Sequence, residues 1–333
     1  MASDTARLAA RAVAQACAVC RRVQADIERV RAVTKDDRSP VTVADFASQA
    51  VIAHRLAQAD PDLALVGEET SEALRGSASL LAEVLSAVRP VWPDADEPAV
   101  LEALDLASHP GGEGSFWTLD PIDGTKGFLR GQQYAVSLAR LEAGAPTLAF
   151  LGCPNLPAQA DAPLDVADGR GVIYAAAAGE GAFIVTDDGV AQGRIVCATW
   201  SPGAPVRLCE SVEKAHSSQS ASARIAQRVG GAGEPARLDS QCKYAVVARG
   251  QADAYLRMPT KPGYVERIWD HAAGALVATE AGCRVTDVRG RALDFGLGRG
   301  LEANLGVVCA APALHGTVID AIAALGLDRP PAG

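Results

Sequence analysis

The sequence predicts two domains, an α+β domain followed by an α/β domain. Its 333 residues exceed what one hydrophobic core usually serves. In the first half, strand-like segments follow one another across short turns, which indicates antiparallel sheet. In the second half, helical and strand-like segments alternate, which is typical of an α/β domain. A turn-rich stretch over 190–205 separates the two patterns, and we place the boundary between residues 195 and 196.

Composition and charge restrict the classes of function. Hydrophobic residues make up 49% of the chain and charged residues 21%, which excludes a disordered or collagen-like protein. The formal net charge of -9 argues against binding a nucleic-acid polymer, because counterion release needs a basic surface. No segment approaches about 18 uninterrupted apolar residues, so we expect neither a membrane-spanning helix nor a membrane partner.

The N-terminal segment predicts a helix with one buried face. Apolar side chains recur at intervals of three or four residues, at positions 13, 17, 20, 23, 27 and 30. Ser3 or Asp4 can cap this helix. We therefore expect the segment to belong to the fold and not to be a transit peptide. The protein would then be cytoplasmic or, as a mature form without its transit peptide, plastid or mitochondrial.

Cys17 and Cys20 form a C-x-x-C pattern inside that apolar stripe. A metal or redox role is one interpretation, but no second C-x-x-C and no histidine pair completes a zinc site. We expect buried packing, since a free cysteine commonly behaves as a small hydrophobic residue. A reducing compartment is the simplest setting for the eight cysteines, and a regulatory disulfide is the alternative.

A second helix is predicted over 45–59, with Asp45 where an N-cap would stand. On the residues alone, capping is the simpler explanation of Asp45. A short buried strand over 63–66 follows and ends at Glu68 and Glu69. Two adjacent acids at a strand end are usually solvated, so this pair alone indicates little.

Beyond residue 70 the sequence predicts one helix, 78–88, and then a Pro- and Gly-rich connector that we expect to lie over the site. The predicted strands that follow are 134–141, 146–153, 171–178, 181–185, 236–239, 252–258 and 306–310. The predicted helices that follow are 217–229, 242–249, 270–281 and one after residue 310.

The segment 117–128, WTLDPIDGTKGF, predicts the functional site. An apolar run leads to Asp120 and Asp123, after which Gly124 and Thr125 form a turn that can open a helix and expose its first amides. Carboxylates alone would repel a phosphate, and amides alone would not activate water. Carboxylates that hold a hard divalent cation beside free amides make a phosphate-ester site.

Four acids stand at predicted strand ends or helix starts: Glu68, Asp120, Asp123 and Asp270. Each is unremarkable alone. Together they suit Mg2+, which prefers oxygen ligands and is typically held by a few carboxylates and a substrate phosphate. The five histidines are scattered without the spacing of metal ligands.

Three signatures resemble those of the inositol monophosphatase superfamily of lithium-sensitive, Mg2+-dependent phosphatases. They occur in the family's order: GEE at 67–69, LDPIDGT at 119–125 and WDHAAG at 269–274. Within the superfamily the chain is most similar to the 3'(2'),5'-bisphosphate nucleotidases. The matching segments are VTVAD at 41–45, DGTKGFLRGQQYAVSLA from 123, AHSSQ at 215–219, DSQCKY at 239–244, YLRMP at 255–259 and ALDFGLGRGL at 292–301. The long connector between Glu68 and Asp120 favours the same group. The resemblance implies a five-layer α/β/α/β/α sandwich.

The resemblance also implies catalytic roles. Two Mg2+ ions, or three, would be held by five residues: Glu68, Asp120, the carbonyl of Ile122, Asp123 and Asp270. Asp120 would bridge two ions. Asp45 and Thr125 would orient and deprotonate the attacking water, and the amides of Gly124 and Thr125 would bind the phosphate. The N-terminal domain, 1–195, would thus carry most of the metal ligands.

The C-terminal domain, 196–333, would carry Asp270 and the residues that bind the nucleotide. The resemblance assigns these as His216, Ser240, Lys243 and Arg257. His216 would contact the adenine, and the two cations would bind a 5'-phosphate that is not hydrolysed. Without the resemblance, Lys243 and Arg257 would be interpreted as solvated surface charges. His271 is expected to be a packing residue and not a ligand.

These roles imply hydrolysis of the 3'-phosphate of adenosine 3',5'-bisphosphate to AMP, with related action on 3'-phosphoadenylyl sulfate and a link to sulfur metabolism. Inhibition by Li+ is also implied. The expected partner is this small molecule, and we expect a monomer. Two alternatives remain open. One is an inositol polyphosphate 1-phosphatase with the same metals and a different pocket, and the other is a non-catalytic sensor of the bisphosphate nucleotide.

Overall fold

Two β-sheets alternate with three layers of helices in the computed structural model, which describes residues 3–31, 40–164, 166–212 and 219–331. The expected five-layer α/β/α/β/α sandwich is confirmed. No helix in these ranges combines the length and the apolar content that a bilayer crossing requires.

Helices α1, Asp4–Arg31, and α2, Pro40–Ala57, form the first layer and cover one face of the first sheet. The predicted cap of α1 is confirmed, because Ser3 Oγ accepts a hydrogen bond from the amide of Ala6 at 3.2 Å. The predicted stripe is buried at positions 13, 17 and 20 and half-buried at 23. Positions 27 and 30 lie outside the side chains that the structure describes.

The buried packing of Cys17 and Cys20 is confirmed. Both side chains lie in the core between α1 and the first sheet, and burial raises the pKa of the Cys17 thiol to about 12. A thiol that resists ionisation is a poor nucleophile and a poor metal ligand. All eight cysteines of the chain are free.

The N-cap interpretation of Asp45 is wrong. Helix α2 begins five residues earlier, at Pro40, and Asp45 therefore lies inside the helix with its side chain buried. Proline is tolerated at the start of a helix, because its missing N–H would have no partner there. The acid that looked like a cap is instead held on the core side of α2.

The segment between the first two strands holds three short helices: α3, Glu72–Arg75; α4, Ala78–Val88; and α5, Glu97–Asp105. The prediction of α4 is confirmed, whereas α5 was missed although Asp96 caps it by accepting from the amide of Ala99 at 2.9 Å. The expectation that this connector covers the site is wrong. Helices α4 and α5 pack against α2, and none of the connector's residues lines the site cavity.

The first sheet has seven strands in sequential order. Its strands are β1, Leu65–Gly67; β2, Ser115–Asp123; β3, Ala135–Glu142; β4, Ala145–Cys153; β5, Val172–Ala177; β6, Gly181–Val185; and β7, Ala191–Ile195. Strands β1 and β2 are parallel and the other neighbours are antiparallel, as expected for this half. A short helix, α6, Thr125–Leu129, follows β2.

The second sheet has five strands: β8, Leu208–Glu210; β9, Ala236–Arg237; β10, Ala254–Arg257; β11, Arg284–Thr286; and β12, Val307–Ala310. Their order is β11-β12-β10-β8-β9, and β8 is parallel to both neighbours. Helices α8, Cys242–Ala248, and α9, Ala272–Glu280, lie between the two sheets. Helices α7, Gln219–Val229, and α10, Pro312–Ala324, cover the outer face.

The division between residues 195 and 196 stays a prediction. The first sheet does end at Ile195. One hydrophobic cluster nevertheless contains residues of both sheets and of the helical layer between them. The two halves therefore share a core.

Gly152→Ala should destabilise the packing of α1 on β4. A Cβ at this position would overlap the sulfur of Cys17 and lie 3.0 Å from Cγ1 of Val13, so the helix would have to move. We expect the free energy of unfolding in urea to fall by about 1–3 kcal/mol. Gly193→Ala in β7 is the matched control, because nothing lies within 4 Å of its Cβ. Equal losses for the two variants would contradict this account.

Candidate active site

Asp120 and Asp123 come together because β2 is irregular at its end. In a regular strand, side chains three residues apart point to opposite faces. Here the pairing with β3 shifts between Asp120, which faces Ser137, and Asp123, which faces Ala135. The irregularity contains Pro121, which has no amide to donate to the ladder. Both aspartates consequently line one cavity of about 360 Å3.

Glu68 and Asp270 reach the same cavity from different parts of the chain. Glu68 follows β1, whose parallel register places Gly67 beside Leu119 and so brings Glu68 next to Asp120. Asp270 stands two residues before α9. All five predicted metal ligands line the cavity: Glu68, Asp120, Ile122, Asp123 and Asp270.

Gln241 connects the two halves of this acid cluster. Its amide donates to Oδ2 of Asp123 at 2.5 Å, and its side-chain Nε2 donates to the carbonyl of Trp269 at 2.8 Å. Its Oε1 accepts from the amide of Gly274 at 2.9 Å. Gln241 is therefore placed to fix Asp123 relative to the turn that carries Asp270.

Gly124 and Thr125 form the predicted turn after Asp123. Gly124 has φ 87 and ψ 42, a left-handed conformation that favours glycine, and a Cβ there would lie 2.8 Å from Cβ of Ser240. The hydroxyl of Thr125 donates to the carbonyl of Ile122 at 3.5 Å. Both residues line the cavity. Their phosphate-binding role stays a prediction.

Burial and mutual repulsion dominate the electrostatics of the acids. Asp120 is only 2% exposed, and burial together with the neighbouring carboxylates raises its pKa well above the usual range. Burial, reinforced by Glu69 and Asp123, raises the pKa of Glu68 to about 7. Burial also raises the pKa of Asp270 to about 8, although a nearby arginine opposes the rise. The cluster is thus short of positive charge.

Asp45 lies close to the acid cluster but does not line the cavity. Burial, followed by repulsion from Glu69 and Glu68, raises its pKa well above the ordinary value. Its pairing with Thr125 stays a prediction.

Three of the four predicted nucleotide-binding residues line the same cavity: Ser240, Lys243 and Arg257. The fourth, His216, lies outside the described residues. Lys243 is 4% exposed, and its Nζ lies 5.2 Å from the ring centroid of Tyr255. Arg257 Nε is 2.8 Å from Oε2 of Glu266. The alternative that the two cations are solvated surface charges is therefore wrong.

Comparison with known proteins decides the family. The chain matches the inositol monophosphatase family over residues 1–326. A 3'(2'),5'-bisphosphate nucleotidase of Emericella nidulans is 42% identical over 314 residues, which cover 87% of this chain and 89% of that protein. The protein of the same name from Oryza sativa is 40% identical over 331 residues, with 94% and 92% coverage. The chain belongs to the inositol monophosphatase family.

Solved structures agree with this fold. SuhB of Mycobacterium tuberculosis has a TM-score of 0.61 at 23% identity, and the match covers 96% of both chains. An inositol monophosphatase from Zymomonas mobilis has a TM-score of 0.62 at 18% identity and covers 96% of this chain and 98% of that one. At such identities the likeness shows the fold alone.

The family is metal-dependent, and the acid cluster fits a divalent cation. Oδ1 of Asp120 is buried and has no hydrogen-bond donor among the residues that the structure describes. A buried acceptor without a donor is costly unless a cation contacts it. Every predicted ligand offers oxygen, which suits a hard ion such as Mg2+ better than a soft one.

Several cavity residues of this family member were not assigned from the sequence: Lys126, Ser211, Asp239, Gln241, Tyr255 and Tyr264. Asp239 and Gln241 fall within the DSQCKY motif, which was a usable signal. Tyr264 ends the segment TKPGY, 260–264, which belongs to none of the motifs that match the family. Ser240 adopts φ 70, a strained conformation for a non-glycine residue of the kind that clusters at functional sites.

Behind Arg257 lies a buried hydrogen-bonded chain. His271 Nε2 lies 3.2 Å from Oε2 of Glu266, and its Nδ1 lies 2.8 Å from the hydroxyl of Tyr244. Glu266, Asp270 and His271 also offer atoms within 4.8 Å of one another, as a metal group would. The carboxylate of Glu266 is already engaged by Arg257 and His271, so this chain of contacts is better explained as a support for Arg257.

Asp120→Asn should separate stability from activity. The substitution keeps the shape and removes a buried charge that its neighbours repel, so the metal-free protein should gain roughly 1–3 kcal/mol. Mg2+-dependent phosphate release should fall at least about 100-fold, because the predicted bridging ligand is lost.

Thermal unfolding in the presence of a chelator measures the stability of the metal-free wild type and of metal-free Asp120→Asn. Asp62→Asn is the control, because it removes the same charge from an exposed position. A metal-free Asp120→Asn protein that is less stable than the wild type would contradict the repulsion argument.

Proposed function

We propose that this protein is a 3'(2'),5'-bisphosphate nucleotidase, which removes the 3'-phosphate of adenosine 3',5'-bisphosphate to give AMP and phosphate. The relatives that carry this name are about 40% identical over most of the chain. The observation that carries the proposal is a single cavity that is lined both by the acids and by the two cations Lys243 and Arg257. A substrate with two phosphates needs both sets of side chains, the acids with their metal for the phosphate that is cleaved and the cations for the phosphate that is kept.

We assign the metal ligands as the resemblance implies them. Glu68, Asp120 and the Ile122 carbonyl would hold one Mg2+, and Asp120, Asp123 and Asp270 a second. Bound there, Mg2+ would neutralise the phosphate and the leaving oxygen and lower the pKa of the attacking water. All these residues line the cavity, and their oxygen chemistry supports the assignment.

Asp45 and Thr125 are assigned to the attacking water. A threonine hydroxyl can donate to a carboxylate and accept from water at the same time. Because burial raises the pKa of Asp45, its carboxylate is a stronger base than an exposed aspartate. The water would then attack phosphorus in line with the departing 3'-oxygen, and the amides of Gly124 and Thr125 would hold the phosphoryl oxygens.

Lys243 and Arg257 are assigned to the 5'-phosphate, with Ser240 and His216 as further nucleotide contacts. Arg257 is oriented by Glu266 and lies 3.9 Å from Oδ2 of Asp270. An oriented guanidinium offers a fixed fork to a phosphate. We expect a monomer. The compartment, cytoplasm or plastid or mitochondrion, stays a prediction.

Tyr264 is assigned to the nucleobase. It lines the cavity with a side chain that is 48% exposed, and its hydroxyl lies 3.5 Å from Nη2 of Arg257. An exposed aromatic ring beside phosphate-binding cations suits a planar base, which it can stack against. An inositol ring offers no such flat surface.

Phosphate release tests the proposal directly. Adenosine 3',5'-bisphosphate and inositol 1,4-bisphosphate are compared with Mg2+ and with Mg2+ plus Li+, and the nucleotide product is identified by chromatography. We expect kcat/KM to favour the nucleotide at least about 10-fold, AMP as the product, and inhibition by Li+. Preference for the inositol ester would indicate a polyphosphate 1-phosphatase. Binding of the nucleotide without phosphate release would indicate a sensor.

Tyr264→Ala should raise KM for the nucleotide roughly 5- to 100-fold, because one stacking contact to the base is lost. Tyr264→Phe keeps the ring and should stay near the wild type. Ribose 3,5-bisphosphate, which has both phosphates and no base, is the matched substrate, and its kinetics should be the same in all three proteins. An equal loss on both substrates would show that Tyr264 does not contact the base.

A further inference from the structure

The loop between β11 and β12 contains the ALDFGLGRGL motif, 292–301, for which the proposed function has no role. Arg299 stands near its end, about thirty residues beyond Asp270 in sequence. The loop lies against two segments that lead to predicted metal ligands, one in each half of the chain.

The main chain of this loop is attached to the segment before Asp270. The amide of Ile268 donates to the carbonyl of Arg299 at 3.2 Å, and the amide of Leu301 donates to the carbonyl of Glu266 at 2.8 Å. The bridge between Arg267 and Gly300 lies between these two bonds. The backbone position of Arg299 is thus tied to the chain that delivers Asp270.

The side chain of Arg299 reaches the other half. Its Nη2 donates to the carbonyl of Gly67 at 2.5 Å, and its Nη1 donates to the carbonyl of His109 at 3.3 Å. Gly67 directly precedes Glu68 at the end of β1. One guanidinium therefore joins the end of that strand to the segment that pairs with it through the bridge between Val66 and Ser108.

The guanidinium of Arg299 also contacts Trp269, the residue before Asp270. Its central carbon lies 4.8 Å from the ring centroid of Trp269, within the range of a cation–π interaction. Trp269 directly precedes Asp270. Arg299 thus touches the residue before Glu68 and the residue before Asp270 at once.

A close backbone contact between Gly111 and Gly298 fixes the position of the main chain next to Arg299. A Cβ on Gly111, which has φ 77, would lie 2.5 Å from the carbonyl oxygen of Gly298. The chain just before Arg299 therefore packs directly on the chain just after His109, with no side chain between them. An arginine fork can donate to two carbonyls in fixed directions, whereas a lysine ammonium on a flexible stem cannot reproduce that geometry.

We infer that Arg299 is a positioning residue for the metal site, which holds the backbones of Glu68 and Asp270 at a fixed separation across the two halves. The inference rests on the metal ligands proposed above. Mg2+ demands near-ideal octahedral geometry at short distances, so a small drift between two ligands lowers its affinity. Arg299 does not line the cavity, so we expect its loss to leave the substrate-binding side chains in place.

The test measures Mg2+ binding to the full chain by calorimetry, without substrate. Arg299→Ala should weaken Mg2+ binding roughly 10- to 100-fold, the usual effect of losing a residue that orients ligands. The Mg2+ affinity of Arg299→Lys should lie between those of the wild type and Arg299→Ala. Millimolar guanidinium should restore part of the affinity of Arg299→Ala and leave the wild type unchanged.

Arg267→Ala is the matched control. Arg267 also lies over Trp269, 5.8 Å from the ring centroid, but it is exposed on the surface. Its loss should leave Mg2+ affinity close to that of the wild type. In the kinetic assay, Arg299→Ala should need more Mg2+ for half-maximal rate while KM for the nucleotide at saturating Mg2+ stays near the wild-type value.

The inference is overturned if Arg299→Ala binds Mg2+ as the wild type does, or if its defect appears in KM for the nucleotide at unchanged Mg2+ affinity. Thermal unfolding without Mg2+ reports whether each variant folds. If Arg299→Ala does not fold, the Mg2+ affinity of Arg299→Lys tests the inference in its place. Glu68→Gln distinguishes a failure of the proposed metal site from a failure of the inference about Arg299. If it titrates like the wild type, the proposed metal site is wrong and the inference falls with it. If only Glu68→Gln loses affinity, the inference alone fails.

Discussion

Mutual repulsion among buried carboxylates is the constraint on which the arrangement of this protein depends. Asp120 is almost wholly buried, and this burial, reinforced by the acids around it, raises its pKa. Such a cluster opposes folding unless cations offset it. The fold brings the acids together by three separate devices: the parallel pair β1 and β2, the irregular end of β2, and a turn from the other half of the chain. A site assembled in this way is built to be completed by bound positive charge.

The cations of the protein offset that cluster only in part. Glu266 engages Arg257 at 2.8 Å, whereas Asp270 lies 3.9 Å from the same guanidinium. Lys243 is buried, and burial lowers its pKa even though Asp123 favours its charged form. Both cations line the same cavity as the acids, and the acid cluster keeps an excess of negative charge. Under the proposed function, the acids would hold the metal that assists one phosphate, and the cations would bind a second anionic group.

Local sequence patterns predicted most of the helices and strands. They predicted less of the site, because part of the site depends on contacts between distant segments. The periodic stripe of α1 and the alternation of β3 to β6 gave both type and position. The start of α2 was misplaced because aspartate is equally suited to a cap and to a buried acid, and burial depends on distant packing. The acids of the site were found because they stand in contiguous motifs. Arg299 acts through contacts with Gly67 and His109, about two hundred residues away in sequence, and no local spacing encodes such contacts.

The site lies at the junction of the two halves of the chain and contains residues from both. Gln241 bonds to Asp123 and to Trp269, so a residue of the second half orients an acid of the first. The middle layer of helices shares its core with both sheets. A relative movement of the sheets would therefore change the distances among Glu68, Asp123 and Asp270. If these acids hold Mg2+ as proposed, such a change would weaken binding, because Mg2+ demands near-ideal geometry. The predicted boundary near residue 195 can separate two sheets, but the proposed metal site would require them to stay fixed to one another.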